Sequence, residues 1–440
     1  MCRNRKSIAW LRGGRRSLLI VVGICVAIRL IFIAGWVRPI RVESGSMAPT
    51  LYGRHFRPTC DDCQFSFAVD AAQSNVHEPV VCPNCGYRQT RCSESNRRKG
   101  NRVVIDRFAF VLRMPRRLEV VAIRQANGRL LTKRVIGLPG EWLGFVDGDL
   151  TINRVIERKS LRQLRDQMIL IHDSSYVPGF AGSATRWTPQ EDSNWNQVGL
   201  GWGVETVAID DNKNQRQWLE YRHRCAYSNS IPPKTRTDEV PVCDDYPYNS
   251  DIVRGQLHQV PDVLLEFDAH WSSDSVIFLR WRSKSVECVA ELHMKTGWVI
   301  LSRQGKVILR RQVHLPPANQ RKKRIEWGMF DRRLVLAVNR RELISAEIYL
   351  PVPAGSHSRP VAIACKNGQI QISRLRLFRD LYYFGPDPTR NHWRARTAQT
   401  GLFFAGDNLP ASIDNRFQTT RVDTSGKLFG RVVPLHSAEL

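Results

Sequence analysis

Ser44-Gly45-Ser46-Met47-Ala48-Pro49-Thr50-Leu51 stands just beyond the one long apolar run of a 440-residue chain. Read by itself, the stretch offers two hydroxyls at positions i and i+2. In an extended segment such side chains project to one face, so one can attack while the other donates a hydrogen bond. A Ser-Gly-Ser is also an ordinary turn, and alone it decides nothing. Two stretches downstream change its reading. They are Lys133-Arg134-Val135-Ile136-Gly137-Leu138-Pro139-Gly140-Glu141 and Gly406-Asp407-Asn408-Leu409-Pro410-Ala411-Ser412-Ile413-Asp414-Asn415-Arg416.

On the N-terminal side, residues 1–16 hold Arg3, Arg5, Lys6, Arg12, Arg15 and Arg16 and no acid. Residues 17–37 are apolar apart from Arg29 and, as a helix, span roughly 31 Å, enough for a hydrocarbon core. The basic flank keeps the N-terminus in the cytoplasm and sends the rest outward. Arg29 is accommodated by snorkelling toward the outer interface. A cleaved secretory peptide has the same basic-then-apolar order. The length of the run favours a retained transmembrane helix, with everything after Val37 outside the cytoplasmic membrane.

The length admits two to four domains and an ample core. A net charge of +25 points first to nucleic acid or to an anionic membrane surface. The Lys and Arg residues are scattered and no nucleic-acid module accompanies them. The partner expected from charge is therefore membrane lipid, not nucleic acid. The eleven cysteines are too few for a disulfide scaffold of this size.

Four of them form two Cys-x-x-Cys pairs, Cys60-Asp61-Asp62-Cys63 and Cys82-Pro83-Asn84-Cys85, with eighteen residues between the pairs. That spacing suits a zinc ribbon, in which two thiolate turns close a tetrahedral site. Pro83, Asn84 and Gly86 supply the second turn. Two disulfides are the alternative in an oxidising compartment. His77 and Cys92 are spare candidate ligands read as bystanders. Four protein ligands leave no open position, so the zinc would be structural and no cofactor serves catalysis.

Gly100 to Phe108, Arg117 to Ile123 and Arg129 to Ile136 read as short strands separated by turns, an antiparallel β arrangement. Lys133 lies in the third. A lysine titrates near 10.4 in water and accepts a proton at neutral pH only when burial depresses it. Leu131 and Val135 project to its own face and can supply that burial.

Residues 154–396 are not explained by these stretches. Leu264 to Trp271, Val276 to Trp281, Trp298 to Ser302, Val307 to Val313, Arg333 to Val338 and Gln369 to Phe378 read as regularly spaced strands, hence a β-sandwich. It is clearest over 257–382, and its texture resembles concanavalin-like jelly rolls. Trp187, Trp195 and Trp202 read as core aromatics. Cys225 and Cys243 are a candidate disulfide.

In this order behind an apolar run, the three quoted stretches resemble the membrane-bound type I signal (leader) peptidases, Ser-Lys proteases that remove signal peptides from exported proteins. Gly100 to Phe110 is a weaker fourth block, with Asn101 where the family has an acid. Pro39 matches a family proline, whereas Glu43, Leu409, Pro410 and Asn415 depart from the pattern. The resemblance implies a mainly β fold, with an antiparallel catalytic core assembled from residues 38–58, 93–153 and 397–440. The zinc ribbon (59–92) and the β-rich domain would be insertions. It implies Ser46 as nucleophile and Lys133 as general base, with the Ser46 amide and Ser44 hydroxyl stabilising the oxyanion. Ser412 would orient the lysine, and Asp414 and Arg416 would form a supporting ion pair. The implied partners are secretory preproteins with small residues, usually Ala-x-Ala, before the cut. The competing reading is a catalytically degenerate, membrane-anchored binding protein that uses the sandwich and ribbon to hold envelope carbohydrate or protein.

Overall fold

The computed structural model describes residues 17–29, 35–71, 80–89, 93–180, 185–206, 216–224, 238–249, 257–317, 321–351, 354–387, 389–390, 392–399, 401–417 and 426–435. The readings of His77, Cys92 and Cys225 lie outside these residues.

Residues 17–29 are helical, and the chain turns at Gly35 and Trp36 into the strand Val37–Arg41. The expected helix through Val37 is thus corrected at its end. Gly35 takes a positive φ of 68°, which a helix does not admit, and Val37 is already paired with Asp106. Among the described residues no helix is long and apolar enough to cross a membrane.

The strands that follow are mainly antiparallel pairs. A six-stranded sheet runs in the order Val37–Arg41, Arg102–Asp106, Gly426–Pro434, Val120–Gln125, Leu130–Gly137, Phe403–Ala405. Widely separated parts of the sequence therefore become neighbours in one sheet. A four-stranded sheet (Val155–Ile156, Asp149–Ile152, Trp142–Val146, His392–Arg396) packs beside it. There Phe145 stacks on Trp393 and Tyr383 at centroid distances of 4.9 and 5.5 Å.

The inserted region is two large sheets packed face to face. One follows the order Asn196–Val198, Gly201–Thr206, Gly368–Arg379, Val263–Trp271, Lys323–Phe330, Arg333–Val338, Arg341–Glu347, with Ile169–Asp173 also on Gly368–Arg379. The other follows Trp187–Pro189, Trp218–Tyr221, Val361–Lys366, Val276–Arg282, Glu287–His293, Trp298–Arg303, Lys306–Gln312. The period-two rule shows in the core: Val263, Leu265, Phe267, Ala269 and Trp271 all enter one buried cluster with Ile277, Leu279 and Trp281. Trp187 and Trp195 join it, and Trp202 packs against it half-buried. Five of these strands come from residues 154–255, so the sandwich takes in more than the 257–382 stretch where it is clearest in the sequence. Their apolar positions are few and interrupted, so periodicity does not reveal them.

Candidate active site

The strand Leu130–Gly137 carries the site. Val120–Gln125 pairs along one edge and sets Val121 opposite Lys133. Phe403–Ala405 pairs along the other edge with Arg134, Val135 and Gly137. Alternation along the strand sends Lys133 and Arg134 to opposite faces, and both are buried.

Lys133 Nζ donates to Ser412 Oγ at 2.6 Å, and Ser412 Oγ donates to Asp414 Oδ2 at 2.7 Å. Asp414 accepts from Arg416 through both oxygens, at 2.7 Å from Nε and 3.1 Å from Nη2. Arg416 turns its remaining N–H groups to the carbonyls of Leu409, Ser412 and Phe384. This pair is fully buried and rigidly bonded, unlike a surface ion pair. Burial would raise Asp414, but Arg416 and the Ser412 hydroxyl hold it below its usual value. Lys133, which meets a hydroxyl and no carboxylate directly, is pushed by burial down to about 8.

Ser44 and Ser46 lie in a turn, which corrects the extended geometry read from their spacing. The Ala48 amide donates to Gly45 O at 3.1 Å and the Leu51 amide to Met47 O at 2.8 Å. Gly45 lets the turn lie close against its neighbours: a Cβ there would stand 2.3 Å from Tyr248 Cε1 and 2.9 Å from Asp70 Oδ2. The two hydroxyls still meet, Ser44 Oγ and Ser46 Oγ lying 3.3 Å apart.

Gly406 is where the blocks converge. A Cβ on it would fall 2.2 Å from the Ser46 carbonyl oxygen and 2.3 Å from Ser412 Oγ. The serine turn and the hydroxyl that holds Lys133 therefore crowd one point, kept open by the missing side chain. The Asn408 amide donates to Ser46 O at 3.1 Å and clamps the turn there. Among the described residues no hydrogen bond joins Ser46 Oγ directly to Lys133 Nζ. Catalytic hydrogen bonds are commonly long without substrate and tighten on binding.

Sequence reasoning missed two supports. Arg134 grips Asp407 at 2.7 and 2.5 Å, and also bonds Leu118 O and Thr50 Oγ1. The adjacency of Asp407 to Gly406 was the available signal. Asn408 and Asn249 exchange paired amide bonds at 2.6 Å, while Asn408 Nδ2 also bonds Gly45 O. Asn249 belongs to the insertion, far off in sequence, and nothing local marks it.

A cleft runs from Ser44 between two walls, Arg38 to Glu43 on one side and Gly128 to Thr132 on the other. Val37–Arg41 is an edge strand, and among the described residues no strand pairs with the second edge of residues 130–133.

The four cysteines also converge. Cys60 Sγ and Cys85 Sγ lie 3.6 Å apart, and Cys63 Sγ and Cys82 Sγ 3.7 Å apart, as free thiols and not disulfides. A tetrahedron with metal–sulfur bonds of about 2.3 Å has sulfur–sulfur edges of about 3.8 Å, so the donors fit a four-thiolate zinc. The two turns are built alike. Gln64 N returns to Cys60 O at 3.0 Å and Gly86 N to Cys82 O at 2.9 Å, with Gln64 and Gly86 both at positive φ.

A family model described as "Signal peptidase, peptidase S26" matches residues 85–196, which include Lys133 and exclude Ser46 and Ser412. The match supports a peptidase-type hydrolase. Among curated proteins there is no match. Solved structures resemble the chain only loosely. The carbohydrate-binding module CBM66 from Bacillus subtilis has 11% identity and a TM-score of 0.28, covering 43% of this chain and 94% of the module. The VIP36 exoplasmic/lumenal domain in its Ca2+/Man3GlcNAc-bound form has 9% identity and a TM-score of 0.30, covering 47% and 88%. Galectin LEC-6 from Caenorhabditis elegans has 12% identity and a TM-score of 0.22, covering 26% and 81%.

Proposed function

We propose that the chain is a Ser-Lys endopeptidase of the signal-peptidase type. In this reading the apolar run that begins at Ser17 anchors it in the cytoplasmic membrane and the catalytic unit faces outward. The observation that carries the reading is the buried lysine, pushed down to about 8 and bonded to a hydroxyl beside the serine turn. Such an amine is neutral in a useful fraction of molecules near neutral pH, which an ordinary lysine is not.

In this mechanism neutral Lys133 takes the proton from Ser46 Oγ as that oxygen attacks the scissile carbonyl. The Ser46 N–H and Ser44 hydroxyl receive the developing oxyanion. Lys133 returns the proton to the leaving amine, leaving an acyl-enzyme on Ser46. Water then attacks the ester as Lys133 accepts its proton, and Lys133 passes that proton to Ser46 Oγ as the acyl–oxygen bond breaks and the new C-terminus departs. Ser412 keeps the amine in place, and the Asp414–Arg416 pair fixes Ser412. An extended secretory preprotein adds as a strand in the cleft beside Ser44, bonding the open edges of residues 37–41 and 130–132. The four thiolates, in the same proposal, hold one structural zinc.

The test is cleavage of a secretory precursor by the detergent-solubilised chain, with Ser46→Ala and Lys133→Ala alongside. Cutting at the signal-peptide junction by the wild type alone is the expected result. Retained cutting in either folded variant overturns the assignment.

A further inference from the structure

The residues between the paired cysteines do more than span a turn. Asp62 Oδ1 accepts the amides of Gly179 and Phe180, both at 2.8 Å. Asn84 Oδ1 accepts the Asp173 amide at 2.7 Å, and its Nδ2 donates to Tyr176 O at 3.1 Å. Pro83 O accepts from Arg186 Nη2 at 3.3 Å. Phe65 meets Tyr176 edge-on at 5.1 Å and Tyr87 lies 5.3 Å from Phe180. Both Cys-x-x-Cys turns therefore grasp residues 173–180, and the second also holds Arg186, at the entrance to the inserted sandwich.

Arg186 adds a charge argument. It is 5% exposed, and among the described residues no carboxylate pairs with it. Its other bonds are to Tyr221 Oη and the His223 ring. A buried guanidinium without an acid is costly unless another negative charge compensates it. Four thiolates around a dication leave two uncompensated negative charges. The backbone carbonyl Arg186 touches is the one directly after Cys82.

The other side of the ribbon leads to the serine turn. Gln89 ties the two cysteine turns together through Thr59 O and the Asp61 amide. His55–Phe56 pairs with Val69–Asp70 and Arg97–Arg98. Asp70 is the residue that, with Tyr248 of the insertion, would collide with any side chain at Gly45.

We propose that the four-cysteine centre is a zinc latch: metal ligation sets the two turns, and these fasten the inserted sandwich to the strands beside Ser46. Arg186 supplies the compensating charge. The proposal rests on the zinc reading given above and adds to it a mechanical role. Asn84 and Arg186 act through the zinc turns and are positioning residues.

The test uses the full chain in detergent. Metal content is measured by mass spectrometry, and docking by hydrogen exchange over residues 173–180. The wild type carries one zinc per chain. Cys63→Ser with Cys82→Ser loses the zinc, exchange at 173–180 speeds by about tenfold or more, and kcat of precursor cleavage falls. Asn84→Ala, which also loses a 3.8 Å bond to Cys63 Sγ, still fills with zinc at saturating metal yet shows the same faster exchange, so the result does not depend on a cysteine variant that fails to fold. Arg186→Gln weakens zinc affinity by about tenfold, the scale of an outer-contact change, and Arg186→Lys restores it. A zinc-free wild type overturns the zinc reading and the latch together. A zinc-loaded wild type whose exchange at 173–180 does not respond to zinc loss or to Asn84→Ala overturns the latch alone.

Discussion

Lys133 and Lys159 are both buried to the same degree, 4% exposed, and have opposite chemistry. Lys133 at the candidate active site meets the Ser412 hydroxyl and is pushed down to about 8. Lys159, where the sandwich meets the four-stranded sheet, contacts Asp331 and Asp380. Burial alone would lower it, but those carboxylates carry it well above the usual lysine value. Asp149 and Asp262 crowd the same place, and burial with the charge of Asp331 pushes Asp149 up to about 7. Burial by itself thus makes no base. The partner decides: a hydroxyl leaves the amine free to lose its proton, and carboxylates lock it on. At the candidate site the nearby acid, Asp414, is already engaged by Arg416, which prevents Lys133 from becoming a second Lys159.

The comparison breaks first on activity. Ser46→Ala or Lys133→Met lowers kcat by about 10^4-fold or more if the two act as one unit, and the double variant falls little further. Lys159→Met leaves the chemistry of Ser46 untouched but destabilises the fold by ~3–5 kcal/mol, because it strands two buried carboxylates. Denaturant unfolding of the full chain in detergent measures it. An unchanged midpoint would show that the acids adjust without their lysine.

Lys133→Met has the opposite sign. A lysine depressed from 10.5 to about 8 costs stability wherever the fold must carry it protonated. That cost is complete below about 8 and fades as pH climbs toward 10.5. At pH 6 the Met variant is therefore expected to be more stable by ~3 kcal/mol, with the gain shrinking in alkaline buffer. A destabilised Met variant at pH 6 would mean that Lys133 is held by more than its hydroxyl.

The legibility of this site follows from where its information sits. Ser46, Lys133, Ser412, Asp414 and Arg416 are readable because each lies in a short stretch of distinctive order, and the structure brings those stretches together around Gly406. Local patterns also exposed the sandwich strands from Leu264 onward, whose inward residues alternate. Asn249 and Tyr248 were illegible for the converse reason. They approach Gly45 and Asn408 only through folding of the insertion, and their own neighbours carry no periodic or capping signal. The turn at Ser44 to Ser46 differs from the extended geometry their spacing suggests because it is closed by bonds from Ala48 and Leu51 and clamped by Asn408, which alternation within the stretch does not show.

Ser412 gives the smallest effect and the sharpest test of the contrast between the two lysines. Its hydroxyl is the direct bond to Lys133 Nζ and the link to Asp414. Ser412→Ala removes the bond that fixes the amine, so kcat is expected to fall about a hundredfold while KM stays near the wild-type value. Ser412→Thr keeps a hydroxyl and is expected to restore much of the rate. The pH profile separates a positioning role from a merely structural one. Under the proposed mechanism only the unprotonated lysine is competent, so wild-type kcat/KM is expected to rise with pH, with its half-maximum near 8 and a plateau above it. Without the Ser412 hydroxyl the ammonium loses its acceptor, and the charged form is disfavoured further. The half-maximum then moves to lower pH even as the plateau drops. A lower plateau with an unmoved midpoint would make Ser412 a packing residue, leaving burial alone to account for the difference from Lys159.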